Sequence, residues 1–247
     1  MKIVAVNGGP RKNCNTAQLL DSFLNGVREA APDAEIEVIH LYDYLYTGCK
    51  SCFACQLTIN REDLGCRVKD SITELLKDTF HADGIAFASP IYYLNVTAQL
   101  RAFWERLLYP GHSPKKIPTA VIYTMNMTEE QEQQFAASPL KSIDMYLTDC
   151  FGMPPETIHA FNTFQFNDRP ALNEAFRRPV EEKKKHREEQ FPKDMQIAFA
   201  AGKQMVQAIQ ECELRNRDNR FPLASGGNSA RICKLTKLSG ETPPGKA

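Results

Sequence analysis

Short apolar segments alternate along the chain with longer segments whose apolar residues recur every three or four positions. The short segments predict strands at 2–7, 35–41, 84–89, 118–124 and 156–163. The longer segments predict helices at 15–31, 70–79, 97–108, 138–150 and 193–215. Because each strand–helix–strand crossover places a helix on one face of a sheet, this alternation predicts a parallel sheet covered on both faces, with right-handed connections.

Composition is that of a globular protein with a real core: 43% of the 247 residues are hydrophobic. Lys plus Arg equals Asp plus Glu, 30 each, so there is no basic excess of the kind that nucleic-acid or membrane binding needs. No apolar run reaches the roughly 18 residues of a membrane span, and the first residues form a strand pattern rather than a secretion signal. We therefore expect a cytoplasmic location, where cysteines are thiols or metal ligands rather than structural disulfides.

The pattern assigns residues 1–215 to one domain. Residues 167–190 are polar and highly charged, and they predict a surface insertion, compatible with partial helix, whose charges are solvated rather than used for binding. Residues 216–247 are rich in Gly, Ser, Pro and charge without periodicity, and they predict an irregular tail.

The loop between the first strand and the first helix has the chemistry of an anion site. A helix N-terminus presents unpaired N–H groups and the positive end of its dipole. Gly8 and Gly9 allow close backbone approach, Arg11 adds charge, and Asn15 and Thr16 offer short polar side chains. The alternative is a capped helix start without a ligand. We expect the backbone N–H of Gly9 to be available to an anion.

This loop resembles the phosphate loop of the NAD(P)H-dependent FMN reductases, a family of the flavodoxin-like superfamily. The positions that match are Gly8, Pro10, Arg11, Lys12, Asn15 and Thr16, whereas Asn7, Gly9 and Cys14 differ from the usual Ser, Ser and Gly. A second, denser match runs from Ser89 to Arg106, beginning with the Ser-Pro-x-Tyr segment that borders the flavin ring in that family. The whole resemblance extends over about residues 1–210.

The resemblance implies a flavodoxin-like doubly wound sheet of five parallel strands in the order 2-1-3-4-5. In such a sheet ligands bind at the carboxyl ends of the strands, where the strand order reverses. The loop after the fourth strand, from Thr124, leaves at the same edge. We therefore expect FMN to contact Gly9, Pro10, Arg11, Asn15, Thr16, Ser89, Pro90, Ile91, Tyr92, Tyr93, Asn95 and Thr124.

The implied function is that of an FMN-dependent oxidoreductase, which takes hydride from NAD(P)H and passes electrons to a small-molecule acceptor such as a quinone, a nitro compound or a flavin. The flavin performs this chemistry, so no catalytic side chain is required. Relatives form dimers, and a homo-oligomer, dimeric or larger, is expected. The alternative from a different class is a flavodoxin-like binding module that has lost FMN and catalyses nothing.

Four cysteines crowd into one loop: Cys49, Cys52 and Cys55, followed after ten residues by Cys66. Three cysteines at this spacing can surround one thiolate site, and a fourth can close it. Iron–sulfur flavoproteins of the superfamily have a similar but more compact run. Cluster-free relatives also carry three such cysteines, followed by a Cys-x-x-x-Asp element like Cys66 to Asp70. We expect free or redox-active thiols, and the alternatives are zinc and a [4Fe–4S] cluster. With a cluster on Cys49, Cys52, Cys55 and Cys66, the alternative function is that of an iron–sulfur flavoprotein that carries electrons.

Overall fold

Five parallel strands form one sheet in the order β2-β1-β3-β4-β5, which is the flavodoxin-like order. The computed structural model describes residues 1–57, 65–108, 111–113, 115–166, 171–172 and 180–218. The strands are β1 (Lys2–Asn7), β2 (Glu35–His40), β3 (Gly84–Pro90), β4 (Thr119–Thr124) and β5 (Glu156–Ala160). The predicted fold class is confirmed.

Seven helices accompany the strands in the described part of the chain. They are α1 (Asn15–Ala30), α2 (Thr73–His81), α3 (Ala98–Leu108), α4 (Glu129–Phe135), α5 (Ala137–Phe151), α6 (Val180–Glu189) and α7 (Phe191–Asp218). A single 3₁₀ turn (Leu41–Asp43) follows β2. None of the described helices is long and apolar enough to cross a lipid bilayer.

The alternation of side chains along the central strands builds two cores. One face carries large residues such as Phe87 and Tyr123, which pack under α2, α3 and α5. The opposite face, which packs against α1 and α7, carries alanine and isoleucine side chains; its strand residues are Ile3, Ala5, Ala86, Ala88, Ala120, Ile122, Ile158 and Ala160. β3 and β4 are buried almost throughout, whereas β2 and β5 form the two edges.

Several element boundaries differ from the predicted ones. β5 ends at Ala160 rather than at 163, because the chain turns at Asn162, whose φ of 48° is left-handed. α2 begins at Thr73 rather than at 70, because the Asp70 carboxylate accepts the Ile72 N–H at 3.2 Å just before the helix. The short helix α4 was not predicted at all.

The structure adds detail to both segments assigned outside the regular pattern. Within 167–190, residues 180–189 form helix α6, in line with a partly helical insertion, but its Lys183 is buried rather than solvated. The last helix continues to Asp218, three residues past the predicted boundary, so the irregular tail predicted from 216 begins no earlier than 219. Residues 167–170, 173–179 and 219–247 lie outside the described residues.

Candidate functional site

A cleft opens at the carboxyl edge of the sheet, where the loops after β1, β3, β4 and β5 meet. The space between these loops measures about 480 Å³, a figure that includes open solvent at the mouth of the cleft. Nine predicted contact residues line it: Gly9, Pro10, Arg11, Asn15, Thr16, Pro90, Ile91, Tyr92 and Thr124. The structure adds five that were not predicted as contacts: Cys14, Met125, Asn126, Thr163 and Gln165.

The first turn of α1 forms the polar end of the cleft. Its N-cap residue, Cys14, makes no capping hydrogen bond through its side chain. Helix geometry leaves the N–H groups of Asn15, Thr16 and Ala17 without partners inside the helix. These groups, together with the positive end of the α1 dipole, make this end of the cleft a favourable place for an anion.

Hydrogen bonds between side chains and neighbouring loops fix the shape of this polar end. The Arg11 guanidinium donates from NH1 to the Gln165 carbonyl at 2.9 Å. The hydroxyls of Thr16 and Thr124 share a hydrogen bond of 2.6 Å, and both residues are buried. The loops after β1, β4 and β5 are thereby joined around the cleft.

One backbone detail differs from the expected phosphate loop, and one glycine that matches the loop has a packing role. The Gly9 N–H donates to the Asn7 Oδ1 at 2.8 Å, so that N–H is already committed within the loop. A Cβ on Gly8 would lie only 2.8 Å from the Cβ of Leu100. Glycine at position 8 is therefore required for α3 to pack against the loop.

Three predicted contact residues lie outside the lining of the cleft. Ser89 is fully buried, and its Oγ donates to the Pro90 carbonyl and accepts the Thr97 N–H at 3.1 Å. Tyr93 is completely exposed at the tip of a tight turn, and Asn95 closes that turn by backbone hydrogen bonds with Tyr92. Thr97 donates from Oγ1 to the Gly8 carbonyl at 2.6 Å, so Ser89 and Thr97 connect the loops after β1 and β3.

A second, separate pocket gathers the four cysteines of the loop, and its cysteine lining consists of Cys49, Cys52, Cys55 and Cys66. Adjacent residues of α3 hold the two ends of this loop. The Cys49 N–H donates to the Glu105 carboxylate at 3.2 Å, and Arg106 donates from Nε to the Cys66 sulfur at 3.4 Å. Residues 58–64, between Cys55 and Cys66, lie outside the described residues.

The cysteine pocket combines thiols with a buried cation. The Arg106 side chain has no solvent exposure and forms an ion pair with Asp70. Burial raises the pKa of the Cys55 thiol, and the nearby sulfurs of Cys66 and Cys49 raise it further. Among the described His, Cys, Asp and Glu side chains, no three are grouped as ligands of a single metal ion.

The additional lining residues of the later loops follow β4 and β5, at the edge where parallel strands deliver ligand contacts. Met125 and Asn126 belong to the loop from Thr124, which the sequence places at this edge, whereas Thr163 and Gln165 were missed. Because the fifth strand was predicted to extend to 163, the loop after it was placed too late in the chain.

Known proteins resemble this chain in sequence over part of its length. Iron–sulfur flavoproteins from Archaeoglobus fulgidus and Methanocaldococcus jannaschii are 36% identical over 118 residues and 35% identical over 106 residues. These matches cover 46% and 43% of this chain, and 49% and 51% of the relatives. The chain thus spans about half the length of the curated relatives it matches.

Solved structures resemble the fold over most of the chain. An NAD(P)H:quinone oxidoreductase from Methanothermobacter marburgensis has a TM-score of 0.58 at 16% identity, covering 82% of this chain and 98% of that one. An azoreductase from Bacillus anthracis has a TM-score of 0.55 at 15% identity, covering 83% and 99%. At these identities the likeness concerns the fold alone.

The family is shown by a match that covers more than half of the sequence. The family model described as NADPH-dependent FMN reductase matches residues 1–145 of the 247. That range contains the first loop, the cysteine loop and the segment from Ser89 to Arg106. This chain therefore belongs to the NADPH-dependent FMN reductase family of oxidoreductases.

Proposed function

We propose that the cleft at the carboxyl edge binds FMN, and that the protein transfers electrons from NADH or NADPH to a small-molecule acceptor such as a quinone or a nitro compound. The observation that carries this proposal is the convergence of the loops after β3, β4 and β5 on the loop after β1 and the first turn of α1. A phosphate monoester at that turn would complete the hydrogen bonding of the helix start.

The cleft has two chemically distinct parts that suit the two ends of FMN. The polar part, at Arg11, Asn15 and Thr16, matches a phosphate. The other part presents the apolar surfaces of Pro90, Ile91, Tyr92 and Met125 beside the polar groups of Asn126 and Thr163. A flat ring with one polar edge fits a wall of this kind.

Bound FMN supplies the hydride and electron chemistry, and the protein supplies binding, orientation and electrostatics. Among the described residues that line the cleft, the ionisable side chains are those of Arg11, Cys14 and Tyr92. We therefore assign no side chain the role of general acid or base. Arg11 is held over the cleft by its bond to the Gln165 carbonyl, where it contributes positive charge for the phosphate.

The first test is the visible absorption spectrum of the purified protein, handled without oxygen, before and after NADH or NADPH is added. We expect flavin bands that bleach with at least one nucleotide. The nucleotide that bleaches them faster is the preferred electron donor. Iron and acid-labile sulfide are measured on the same sample. A colourless protein that FMN does not reconstitute would instead support the non-enzymatic binding module.

A second candidate function is electron transfer by FMN together with a [4Fe–4S] cluster. Two observations favour it: the four cysteines line one pocket, and the relatives from Archaeoglobus and Methanocaldococcus carry the name iron–sulfur flavoprotein. A cluster distributes its ligands over four iron atoms. It therefore needs thiols around a cavity rather than thiols converging on one point. Iron and sulfide in the purified protein, with absorbance that dithionite bleaches but nicotinamides do not, would make this the better description.

The expected homo-oligomer and the cytoplasmic location stay predictions. The absorption spectrum tests neither of these predictions. Sedimentation of the purified protein would measure its oligomeric state.

Replacing Arg11 with alanine is expected to weaken FMN binding about tenfold, because a charged hydrogen bond contributes roughly 1.5–3 kcal/mol. Lys12→Ala is the matched control. Lys12 is exposed, pairs with Asp43 at 2.6 Å and does not line the cleft, so its loss should change the dissociation constant by less than about twofold. Flavin fluorescence titration of the stripped proteins measures both, and equal effects of the two substitutions would contradict the assignment of Arg11.

A further inference from the structure

Helix α6 lies beyond the region that the family model matches, yet it contacts the loops that form the cleft. Lys183 is buried, and its ammonium donates to the Asn126 carbonyl at 3.0 Å and to the Asn162 side chain. His186 Nε2 donates to the Phe161 carbonyl at 3.0 Å. The side chains of Lys183 and His186 on this face of α6 therefore hold the loops after β4 and β5 by hydrogen bonds.

Arg187 extends this contact to the first turn of α1. Its guanidinium donates from NH1 to the Asn15 Oδ1 at 2.7 Å and from NH2 to the Gln18 Oε1. Gln18 in turn donates from Nε2 to the Asn13 carbonyl at 2.8 Å. The guanidinium also lies 3.7 Å from the ring centroid of Phe191, which restricts its position from the other side.

The bond from Arg187 decides which way the Asn15 amide faces. Because the guanidinium has only donors, it fixes Oδ1 on its own side. The Nδ2 group then points away, and it donates one hydrogen to the Phe164 carbonyl at 3.2 Å. An amide NH₂ has a second hydrogen, and Asn15 lines the cleft. The orientation presents a donor to an anion there, whereas the reversed amide would present a repelling oxygen.

The positive charge of Arg187 also favours an anion in the cleft. Burial lowers the pKa of its guanidinium, and the neighbouring sulfur of Cys14 counteracts this effect. Because Arg187 donates to Asn15, the first residue of α1, its positive charge lies beside the start of that helix. A full positive charge behind the positive end of the helix dipole strengthens the attraction for a dianion, although Arg187 itself does not line the cleft.

We propose that Arg187 is a positioning residue for a phosphate monoester, acting through Asn15 and through its charge, and that it makes the cleft select phosphorylated over unphosphorylated flavin. This inference rests on the proposed function, because FMN is the ligand whose phosphate the first turn of α1 would hold. It also gives helix α6, which lies outside the family match, a direct part in cofactor choice.

The test compares FMN with riboflavin, which has the same ring and ribityl chain without the phosphate. Dissociation constants for both are measured by fluorescence titration of the flavin-free full chain, in the wild type and in three variants. Arg187→Met removes the charge and both donors, and Arg187→Lys retains the charge without the two-pronged geometry. Lys185→Met, on the solvent-exposed face of the same helix, is the matched control.

We expect Arg187→Met to weaken FMN binding by about tenfold or more while riboflavin affinity changes by less than about twofold. Arg187→Lys should weaken FMN to an intermediate extent, and Lys185→Met should leave both affinities unchanged. Equal losses for FMN and riboflavin in Arg187→Met would show a merely structural role, and no loss for either would overturn the inference. If the wild type binds neither flavin, the proposed function fails and overturns this inference with it, whereas wild-type binding of FMN without an effect of Arg187→Met overturns the inference alone.

Discussion

Replacing Gly202 with alanine is expected to lower the free energy of unfolding by about 3 kcal/mol or more, at the upper end of what overpacking usually costs. A Cβ at this position would lie 2.0 Å from the backbone oxygen of Phe23 on α1. Gly26 is in the same situation on the other helix, since its Cβ would lie 2.0 Å from the Phe199 oxygen. The obstructing atoms belong to backbone, so no side chain can rotate away and the two helices must separate.

Urea denaturation of the purified variants measures this loss. Gln207→Ala, on an exposed position of the same helix, is the control and should be neutral or slightly stabilising, because alanine favours helix. Once one methyl group has separated the helices, the second meets less resistance. The double variant Gly26→Ala/Gly202→Ala should therefore cost less than the sum of the single variants. Fully additive losses would show that the two glycines do not share one contact.

This helix contact illustrates which parts of the fold could be predicted from sequence. The strands and most helices follow from local hydrophobic periodicity, and the parallel sheet follows from their alternation. Nothing in either helix marks Gly26 and Gly202 as partners, because their contact joins segments far apart in the chain. Helix α4 was missed for a different reason: it is short and mostly polar, although its capping box between Thr128 and Gln131 is visible in the sequence.

The sequence predicts those parts of the candidate site that lie in loops directly after a predicted strand. Parallel strands place their carboxyl ends at one edge, and the loops after β1 and β3 were located correctly by that rule. The contribution of α6 was not predictable, since a run of charged residues is usually solvated. Lys183 and Arg187 are exceptions because oxygens of neighbouring residues accept from them: Lys183 donates to the loops after β4 and β5, and Arg187 donates to amide oxygens of helix α1. Tertiary structure alone supplies those partners.

Helix α3 connects the two candidate sites. Its start is joined to the first loop, because Thr97 donates to the Gly8 carbonyl. Its last turns hold the cysteine loop, through Glu105 to the Cys49 N–H and through Arg106 to the Cys66 sulfur. One helix thus contacts both the first loop of the cleft and the cysteine pocket.

Replacing Asp70 with asparagine is expected to cost about 3 kcal/mol of unfolding free energy, because it leaves the buried Arg106 guanidinium without its counter-charge. Asp70 accepts from Arg106 NH2 at 3.1 Å and from NH1, and Arg106 also donates to the Val68 carbonyl at 3.0 Å. This loss lies at the lower end of the range for breaking a buried ion pair, because the Asp70 side chain retains 23% exposure. Glu74→Gln, which breaks an exposed pair with Lys77, should cost less than about 0.5 kcal/mol.

The pH dependence of this loss provides a sharper check. Burial alone would raise the pKa of Asp70, but the hydrogen bonds and charge of Arg106, with the Ile72 N–H, outweigh it and lower the pKa. A lowered carboxyl pKa stabilises the fold above the unfolded value of about 3.9, and this stabilisation disappears as the pH falls through the folded value. The wild type should therefore lose its advantage over Asp70→Asn between neutral and strongly acidic pH. If the difference in unfolding free energy between the wild type and Asp70→Asn stayed constant across that range, the charge of Asp70 would not be the source of the stabilisation.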